Sequence, residues 1–252
     1  IYERIQQSGE LVVGLSADYA PYEFHAEVDG KDKIVGFDIS IAEKIAKDMG
    51  VKLKIEELGF DALLGALKTG KIDLVISGMS ITEERLKEVD FSDPYFVVQQ
   101  KVLVRKGDKN RFKTTADFDG LAVGAQKQTT QEDLVKNEMT GAEPTSLQKV
   151  PDLVNNLLNK KVEAVVLEQP VAEAYVQQSD NVELAPVKFE QGEKVTAIAM
   201  SKNTPELKKH VNASIKTIND EDLLKGYQKD ANELMFQGCL LYTSPSPRDY
   251  AA

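Results

Sequence analysis

The sequence predicts an α/β protein of two lobes, each a mainly parallel sheet flanked by helices, with a ligand cleft between the lobes. Three observations support this fold class. Short apolar strand candidates alternate with amphipathic helical segments, an order typical of parallel sheets covered by helices. The alternation ends near Phe96 and then restarts. The chain has 252 residues, enough for two lobes of roughly 100 residues each.

The first series of elements lies in the N-terminal third of the chain. Residues 10–16 (ELVVGLS) form a short apolar run that predicts a strand, and the alternating pattern of residues 51–58 (VKLKIEEL) predicts another. Between them, residues 38–50 carry apolar side chains at helical spacing and end in a glycine, a common helix stop. Residues 60–71 predict a second helix, and the apolar run at residues 72–78 predicts a third strand.

The second series starts after Phe96. It opens with a strand candidate at residues 101–106 and continues, after a polar loop, with a strand at residues 121–125. A helix from Gln131 and a strand at residues 161–168 follow. This order predicts a second α/β lobe.

The C-terminal part of the chain predicts one late strand at residues 194–202 and two closing helices at residues 206–220 and 221–235. From residue 238 to residue 252 the helical pattern gives way to a Ser/Pro-rich string that contains the single cysteine, Cys239. The string CLLYTSPSPRD resembles the translation of a sequencing-library adapter. We therefore interpret residues 238–252 as a non-native tail rather than a native flexible one, and exclude it from functional reasoning.

Bulk composition excludes several functional classes. The chain is 42% hydrophobic and 29% charged, which is ordinary for a globular protein. Its net charge of −10, with no basic aromatic-rich face, argues against nucleic-acid binding. No segment approaches the roughly 20 apolar residues that a membrane helix requires. No signal peptide is visible, which predicts a mature form without its leader.

Neither metal-binding nor catalytic chemistry has a recognisable motif. His25 and His210 are far apart in the chain, and no cysteine or second histidine accompanies either of them, which argues against a metal site. The serines lack a partnered histidine, and the sequence contains neither a nucleophile elbow nor a phosphate loop. We therefore expect no metal, no cofactor and no catalytic residue.

The segment DLVISGMSITEER, residues 73–85, carries the strongest functional signal. Its apolar run is followed closely by Ser77, Gly78, Ser80 and Arg85. Small side chains leave backbone N–H groups accessible, the helix start that follows favours anions, and the guanidinium can donate two parallel hydrogen bonds to a carboxylate. The plainer interpretation is a solvated Arg85 paired with neighbouring glutamates. The segment thus predicts a pocket for a small carboxylate.

The same segment resembles the carboxylate-binding segment of the extracytoplasmic amino-acid-binding proteins that serve ABC transporters. Further stretches resemble this family in its order and at its spacing, across nearly all of residues 1–237. These stretches are SADYAPYEF (16–24), IVGFDISIAEKIAKDMG (34–50), FDALLGALKTGKID (60–73), VDFSDPYF (89–96), VGAQKQTTQEDL (123–134) and EAVVLEQPVAEAY (163–175). The resemblance implies a periplasmic-binding-protein type II fold, with residues 1–99 and 194–237 as lobe 1 and residues 100–193 as lobe 2.

The resemblance also implies roles for single residues at the two charged ends of an amino acid. Arg85 and Ser80 match the groups that hold the α-carboxylate, together with backbone N–H groups near Ser77 and Thr130. Glu168 matches the acid that holds the α-ammonium, although the family more often has Asp there. On the residues alone, Glu168 could equally be a surface acid at a strand end.

The side-chain end of the ligand is implied in the same way. Tyr19 and Phe60 match the two aromatics that sandwich the ligand side chain, whereas most aromatics in proteins are core residues. Gln128 occupies a position where the family commonly has glycine. The residues that match the ligand-facing TTQ of the second lobe are Thr129, Thr130 and Gln131.

Ligand identity follows less directly from the sequence. Ser16 stands where several relatives that select cationic or amide side chains carry Asp, and Gln126, Asp18 and Glu23 are the other polar candidates near the side-chain end. Two aromatics suit the planar guanidinium of arginine through stacking and cation–π attraction. They also suit the flat amide of glutamine. We rank arginine first, followed by lysine, histidine and glutamine.

The function that the resemblance implies is capture of a polar or basic L-amino acid by hinge closure and its delivery to a membrane ABC permease. The protein would act as an extracytoplasmic monomer, either periplasmic or lipid-anchored at the surface. Two alternatives stay open. Dehydratases that resemble these proteins use an acidic residue of the cleft as a general acid, a role open to Glu168. The chain could also be the ligand-sensing domain of a membrane receptor.

Overall fold

The computed structural model describes residues 1–242, which form two mixed sheets flanked by helices and a small third sheet. The strands are β1 (Glu10–Leu15), β2 (Asp18–Tyr19), β3 (Glu23–Val28), β4 (Lys31–Val35), β5 (Lys52–Glu57), β6 (Leu74–Val75), β7 (Asp90–Phe91), β8 (Phe96–Arg105), β9 (Ala122–Gln126), β10 (Glu143–Leu147), β11 (Ala164–Glu168), β12 (Val182–Ala185), β13 (Glu193–Thr196) and β14 (Ala199–Met200). The helices are α1 (Tyr2–Ser8), α2 (Phe37–Asp48), α3 (Leu63–Lys68), α4 (Glu83–Glu88), α5 (Thr130–Glu138), α6 (Val150–Leu158), α7 (Gln169–Gln178), α8 (Pro205–Asp220) and α9 (Leu223–Tyr242).

The first sheet has the strand order β5–β1–β6–β14–β7. Strand β1 runs parallel to β5 and β6, whereas β14 runs antiparallel to β6 and β7. Helix α2 packs on β1 and β5, and α8 and α9 pack on α2. The antiparallel sheet β2–β3–β4 lies beside this group, where β3 contacts α9.

The second sheet has the strand order β10–β9–β11–β8–β12. Strand β9 runs parallel to β10 and β11, whereas β8 runs antiparallel to β11 and β12. Helices α5 and α6 pack on β9, and α7 packs on β8 and β12. The two sheets are thus built alike, each with a parallel part and an antiparallel part.

Strand β8 connects the two halves of the molecule. Its first part, residues 96–99, pairs with β13, and its second part, residues 100–105, pairs with β11 and β12. A two-stranded segment therefore leads from one sheet to the other.

The predicted two-lobe α/β architecture is confirmed, and both sheets are mixed rather than uniformly parallel. The alternation of strands and helices correctly identified the parallel pairs, because a strand that follows a crossover helix runs in the same direction as the strand before it. The antiparallel strands β8, β12, β13 and β14 lie in or next to the segments that connect the two sheets. No helical crossover precedes β8 or β14, so the pattern gave no signal for their direction.

The single late strand predicted at residues 194–202 is wrong. The structure has two strands there, with β13 paired to β8 and β14 paired to β6 and β7. The buried residues Ala197 and Ile198 separate them. An unbroken apolar run therefore hides a change of partner, because residues on both sides of the change are buried.

Two further differences concern the hairpin and the C-terminus. The hairpin of β3 and β4 was not predicted, since its alternation is weak and it carries many charged residues. Helix α9 continues to Tyr242, and so residues 238–242 remain helical where the pattern predicted a break. The rest of the predicted tail, residues 243–252, lies outside the described residues.

The fold brings polar residues to one edge. The carboxyl ends of the parallel strands β1, β6, β9 and β11 are followed or closed by the small and polar residues of the predicted site. In open α/β sheets this edge is where ligands bind. The two sheets present these edges to the same cavity, as described below.

A backbone constraint next to that edge can be tested at Gly36. This residue precedes α2 with φ 132° and ψ 170°, and a Cβ there would lie 2.0 Å from the carbonyl oxygen of Tyr22. Gly50, just after α2, has φ 69° but open space around it. We expect Gly36→Ala to lower the free energy of unfolding by at least about 3 kcal/mol through strain and overlap. Gly50→Ala should cost only about 1–2 kcal/mol.

Chemical denaturation of both variants measures the difference. Equal losses would show that the close approach of Tyr22 to Gly36 does not constrain the native state.

Candidate functional site

Most of the predicted ligand residues surround one narrow cavity, of about 10 Å³, between the two sheets. Of the twelve predicted residues, eleven line the cavity, and Ser77 lies behind its wall. The lining residues are Ser16, Asp18, Tyr19, Glu23, Phe60, Gly78, Ser80, Arg85, Gln126, Thr129, Thr130, Gln131 and Glu168.

Arg85 reaches the cavity from the first turn of α4. The Thr82 side chain caps this helix by accepting a hydrogen bond from the Arg85 backbone N–H at 3.1 Å. The guanidinium donates to the carbonyl oxygens of Ser80 (2.8 Å) and Gln128 (3.0 Å), and its carbon lies 5.5 Å from the centre of the Phe60 ring. These contacts fix the orientation of a fork that has five N–H donors, and leave donors available for a ligand.

In the structure, Arg85 does not pair with the glutamates of its own helix, which was the alternative interpretation. Within residues 1–242 the guanidinium makes no ion pair, and Glu88 is paired with Lys68 at 2.7 Å instead. Burial lowers the pKa of Arg85, because a poorly hydrated cation is less stable. The charge therefore favours an anionic partner in the cavity.

Glu168 closes β11 and is 2% exposed. Its Oε2 atom has no hydrogen-bond partner among the described residues. Burial raises the pKa of Glu168 to about 8, from an ordinary value of 4.5. A buried carboxylate of this kind favours either a proton or a cationic partner.

Glu23, at the start of β3, is a second buried carboxylate on the cavity wall and is fully inaccessible to solvent. Its Oε1 accepts a hydrogen bond from the Ser77 hydroxyl, whereas its Oε2 has no partner in the described part of the chain. Burial, and then the charge of Asp38, raise the pKa of Glu23 well above its ordinary value. Ser77 also accepts a hydrogen bond from the Ser16 backbone N–H at 3.1 Å. Ser77 therefore supports the cavity wall from behind.

Asp38 is a supporting residue that sequence reasoning missed. It is buried in the first turn of α2, and it accepts hydrogen bonds from the Gly78 backbone N–H (2.7 Å) and the Tyr95 hydroxyl (2.8 Å). These bonds hold Gly78, with φ 55°, against Tyr19 and Tyr22. Burial raises the pKa of Asp38 to about 6. The available signal was a carboxylate in the first turn of α2, between the apolar residues Phe37 and Ile39.

The second half of the molecule contributes the start of α5. Thr129 caps this helix by accepting a hydrogen bond from the Glu132 backbone N–H at 3.2 Å. Gln131 donates to the buried Gln100 side chain at 2.7 Å, a contact that the sequence did not indicate. Gln128 adopts a left-handed φ of 60°, a conformation that glycine adopts more readily than other residues.

Polar contacts join the two sides of the cavity. Asp18 accepts hydrogen bonds from the Val150 backbone N–H (3.0 Å) and the Gln126 side chain (3.4 Å). The Tyr19 hydroxyl accepts from the Glu168 backbone N–H at 3.3 Å. Together with the bond from Arg85 across the cleft, these contacts describe a closed arrangement of the two halves.

The described part of the chain has neither a metal cluster nor a membrane-spanning helix. No group of three or more histidine, cysteine, aspartate or glutamate residues there could hold a metal ion. None of its helices combines the length and the apolar character that a membrane span requires.

Comparison with known proteins identifies the family. The family model described as bacterial extracellular solute-binding proteins, family 3, matches residues 11–230. The chain belongs to this family. Family membership agrees with the resemblance carried by residues 73–85 and by the other matching stretches.

Individual relatives agree with this assignment. The chain is 32% identical over 223 residues to the arginine-binding extracellular protein ArtP of Bacillus subtilis, covering 87% of this chain and 85% of the relative. An amino-acid ABC transporter substrate-binding protein, AbpA of Streptococcus pneumoniae, solved with bound L-arginine, superimposes with a TM-score of 0.90 at 37% identity, covering 92% of this chain and 98% of that one.

A third relative bears on enzymatic alternatives. The ancestral amino-acid-binding protein AncCDT-1, a precursor of cyclohexadienyl dehydratase, has a TM-score of 0.83 at 31% identity, covering 91% of this chain and 98% of that one. The same fold therefore occurs on a lineage that led to an enzyme.

The raised pKa of Glu168 predicts how stability depends on pH. The folded protein holds a proton with a pKa of about 8, whereas the ordinary pKa is 4.5. The stability that this proton contributes is complete below about pH 4.5 and is lost as the pH rises through about 8. We therefore expect the Tm of the ligand-free protein to fall between pH 5 and pH 8, because the free energy of unfolding decreases by an amount on the order of a few kcal/mol at most.

Thermal unfolding at constant ionic strength measures this decline. Glu168→Gln should reduce this decline without removing it, because the raised pKa values of Glu23 and Asp38 act in the same direction. Glu173→Gln, at an exposed position of α7, should leave it unchanged. A native profile that is flat, or that rises with pH, would contradict the assignment of a buried, protonated Glu168.

Proposed function

We propose that this protein captures a basic amino acid, arginine first, by closing its two lobes around the ligand. The observation that carries the proposal is the charge pattern of the cavity. One guanidinium, Arg85, faces the same small space as two buried carboxylates, Glu168 and Glu23, each with one oxygen that lacks a partner among the described residues. A ligand that satisfies all three groups has one anionic and two cationic groups.

The anionic group of the ligand is assigned to Arg85. Its fork suits the α-carboxylate, and charge-assisted hydrogen bonds of this kind are roughly twice as strong as neutral ones. The Ser80 hydroxyl, buried and without a partner in the described chain, adds a donor beside it. The backbone N–H groups at the start of α5, near Thr130, complete the set that we propose for the carboxylate.

The two cationic groups are assigned to the two carboxylates. Glu168 would receive the α-ammonium, whose three N–H donors match an unpaired carboxylate oxygen. Glu23 would receive the side-chain cation, with Asp18 and Gln126 nearby on the cavity wall. A neutral side chain such as that of glutamine would leave Glu23 with only a hydrogen bond. The proposal therefore ranks arginine and lysine above glutamine.

The aromatic residues favour arginine over lysine. Tyr19 and Phe60 both line the cavity, and each has one ring face in contact with another side chain: Tyr19 stacks on Tyr22 at 5.3 Å, and Phe60 lies under Arg85. A planar guanidinium stacks on such rings better than a compact ammonium does. The arginine named in the relatives described above supports the same choice.

The binding free energy that the site must provide is reasonable for a ligand of this size. Micromolar binding corresponds to about 8 kcal/mol, and arginine has twelve heavy atoms, so each contributes well under the ceiling of about 1.5 kcal/mol per atom. Burying a ligand with three charged groups gains little from apolar area. Paired charges and closure of the lobes must therefore provide the affinity.

We assign the lobes to residues 1–99 with 194–237 and to residues 100–193. The assignment rests on the switch of partner within β8, where pairing with β13 gives way to pairing with the second sheet. Closure would then bend the two-stranded segment formed by β8 and β13. A monomer outside the cytoplasm that delivers its ligand to an ABC permease fits the family, and we include that role in the proposal.

An enzymatic role is the second candidate, and one observation favours it. Glu168, with a pKa of about 8, could donate a proton at neutral pH as a general acid does. The relation to AncCDT-1 gives that possibility a structural precedent. The cavity nevertheless places Arg85 and Glu23 in the same space, and a grip on a dibasic zwitterion uses all three charged groups without any turnover.

A screen of the twenty amino acids by thermal shift tests the proposed ligand class. Arginine should give the largest increase in Tm, followed by lysine and histidine, and glutamine should be weaker. A larger shift from glutamine or from an apolar amino acid than from arginine would contradict the proposal.

Arg85→Ala should lower affinity for arginine at least about thirtyfold, because it leaves the ligand carboxylate buried without its partner, a loss typically of about 2–5 kcal/mol. Lys87→Ala is a matched control, since Lys87 is exposed on the same helix. Calorimetry on both variants measures the effect. A loss smaller than about tenfold for Arg85→Ala, or an equal loss for Lys87→Ala, contradicts the carboxylate assignment.

Glu168→Gln separates binding from catalysis. An amide keeps the shape of the side chain but removes its charge, and so a grip on the α-ammonium predicts a large loss of affinity and no turnover in either protein. A general acid predicts the opposite pattern, with affinity retained and product formation lost. Affinity for arginine and product formation from a cyclohexadienyl substrate are measured on the same preparations.

A further inference from the structure

Helix α6 begins without a cap from its own half of the molecule. The side chain of Lys149, which precedes the helix, makes no capping hydrogen bond, and Pro151 lies in the first turn and has no N–H to donate. The backbone N–H of Val150 instead donates to Oδ2 of Asp18 at 3.0 Å, across 132 positions of sequence. The start of a helix of the second lobe is thus capped by a carboxylate of the first.

Asp18 is held in place by donors from both sides of the cavity. Its Oδ1 accepts from the Ser16 hydroxyl at 2.7 Å, two residues away. Its Oδ2 accepts from Val150 and, at 3.4 Å, from the Gln126 side chain. One short hydrogen bond therefore orients the carboxylate within its own lobe, while the other oxygen points at the opposite lobe.

The charge of Asp18 has no ionic compensation other than this helix. Among residues 1–242 no lysine, arginine or histidine forms an ion pair with it, whereas Asp61 nearby pairs with Lys127 at 3.7 Å. A carboxylate at a helix N-terminus interacts favourably with the helix dipole and with the unpaired N–H groups there. The α6 terminus thus supplies the positive potential that the Asp18 carboxylate otherwise lacks.

We propose that Asp18 is a latch that caps α6 across the cleft and stabilises the closed arrangement of the lobes. When the lobes separate, the Val150 N–H and the carboxylate both return to water, and the interaction is lost. Asp18 therefore contributes to affinity by favouring closure, as a positioning residue. The inference rests on the proposed function for the closure of the lobes and for the choice of arginine as probe.

The latch differs in kind from the bond that Arg85 makes across the cleft. Arg85 donates to the Gln128 carbonyl with the same guanidinium that we propose binds the ligand carboxylate. The position of the ligand therefore affects this bond. Asp18 bridges to backbone, which needs no ligand. The competing role for Asp18, which also lines the cavity, is direct contact with the ligand cation.

Hydrogen exchange of the Val150 amide in the ligand-free protein tests the contact directly. Asp18→Ala removes the acceptor, and exchange at Val150 should accelerate at least about tenfold. Asp18→Asn keeps an oxygen that can cap a helix, because Asn is nearly as good as Asp at that position, and exchange should accelerate much less. Asp32→Ala, at an exposed position of the neighbouring hairpin, should leave the exchange unchanged. Unaltered exchange in Asp18→Ala overturns the proposal.

Calorimetry with arginine distinguishes the latch from a ligand contact. A latch predicts that Asp18→Ala weakens binding about tenfold, the order of one helix cap, whereas Asp18→Asn weakens it less than about threefold. A contact with the ligand cation predicts equal losses in the two variants, because both lack the charge, and that result would overturn the latch. Failure of the native protein to bind arginine would refute the proposed ligand alone, since the exchange experiment contains no ligand.

Discussion

We propose that three charged side chains lining one cavity determine what this protein can bind. Arg85 faces Glu168 and Glu23 there, and the structure pairs none of the three with a countercharge in the described chain. A buried charge without a partner is costly, and the raised pKa values of both carboxylates express that cost. The ionised forms of these side chains are therefore most stable when a molecule of matching charges occupies the cavity.

The fold supports these charges through backbone positions at the ends of its elements. Glu168 ends β11, Glu23 begins β3, and Arg85 lies in the first turn of α4. Asp38 and Ser77 support the wall behind them through hydrogen bonds to Gly78 and Glu23. Because Glu168 belongs to the second sheet and Glu23 and Arg85 to the first half of the molecule, the proposed closure would complete the charge pattern and couple recognition to closure.

Much of this arrangement could be predicted from the sequence, and the remainder could not for identifiable reasons. Local patterns predicted the strands that end at the cavity, and the segment around Arg85 carried enough chemistry to indicate a carboxylate pocket. Asp38 and the Asp18–Val150 contact were not predictable, since they depend on residues 40 and 132 positions apart meeting in space. The split between β13 and β14 was hidden because an apolar run does not reveal which strand it pairs with.

The proposed role of Glu23 is to bind a second cationic group of the ligand, and a comparison of arginine with its uncharged analogue citrulline tests this role. Calorimetry on the native protein and on Glu23→Gln gives four affinities. We expect the native protein to prefer arginine by about a hundredfold or more, and we expect the substitution to weaken arginine binding strongly while changing citrulline binding by less than about fivefold. An equal loss for both ligands, or an undiminished preference for arginine in Glu23→Gln, would contradict it.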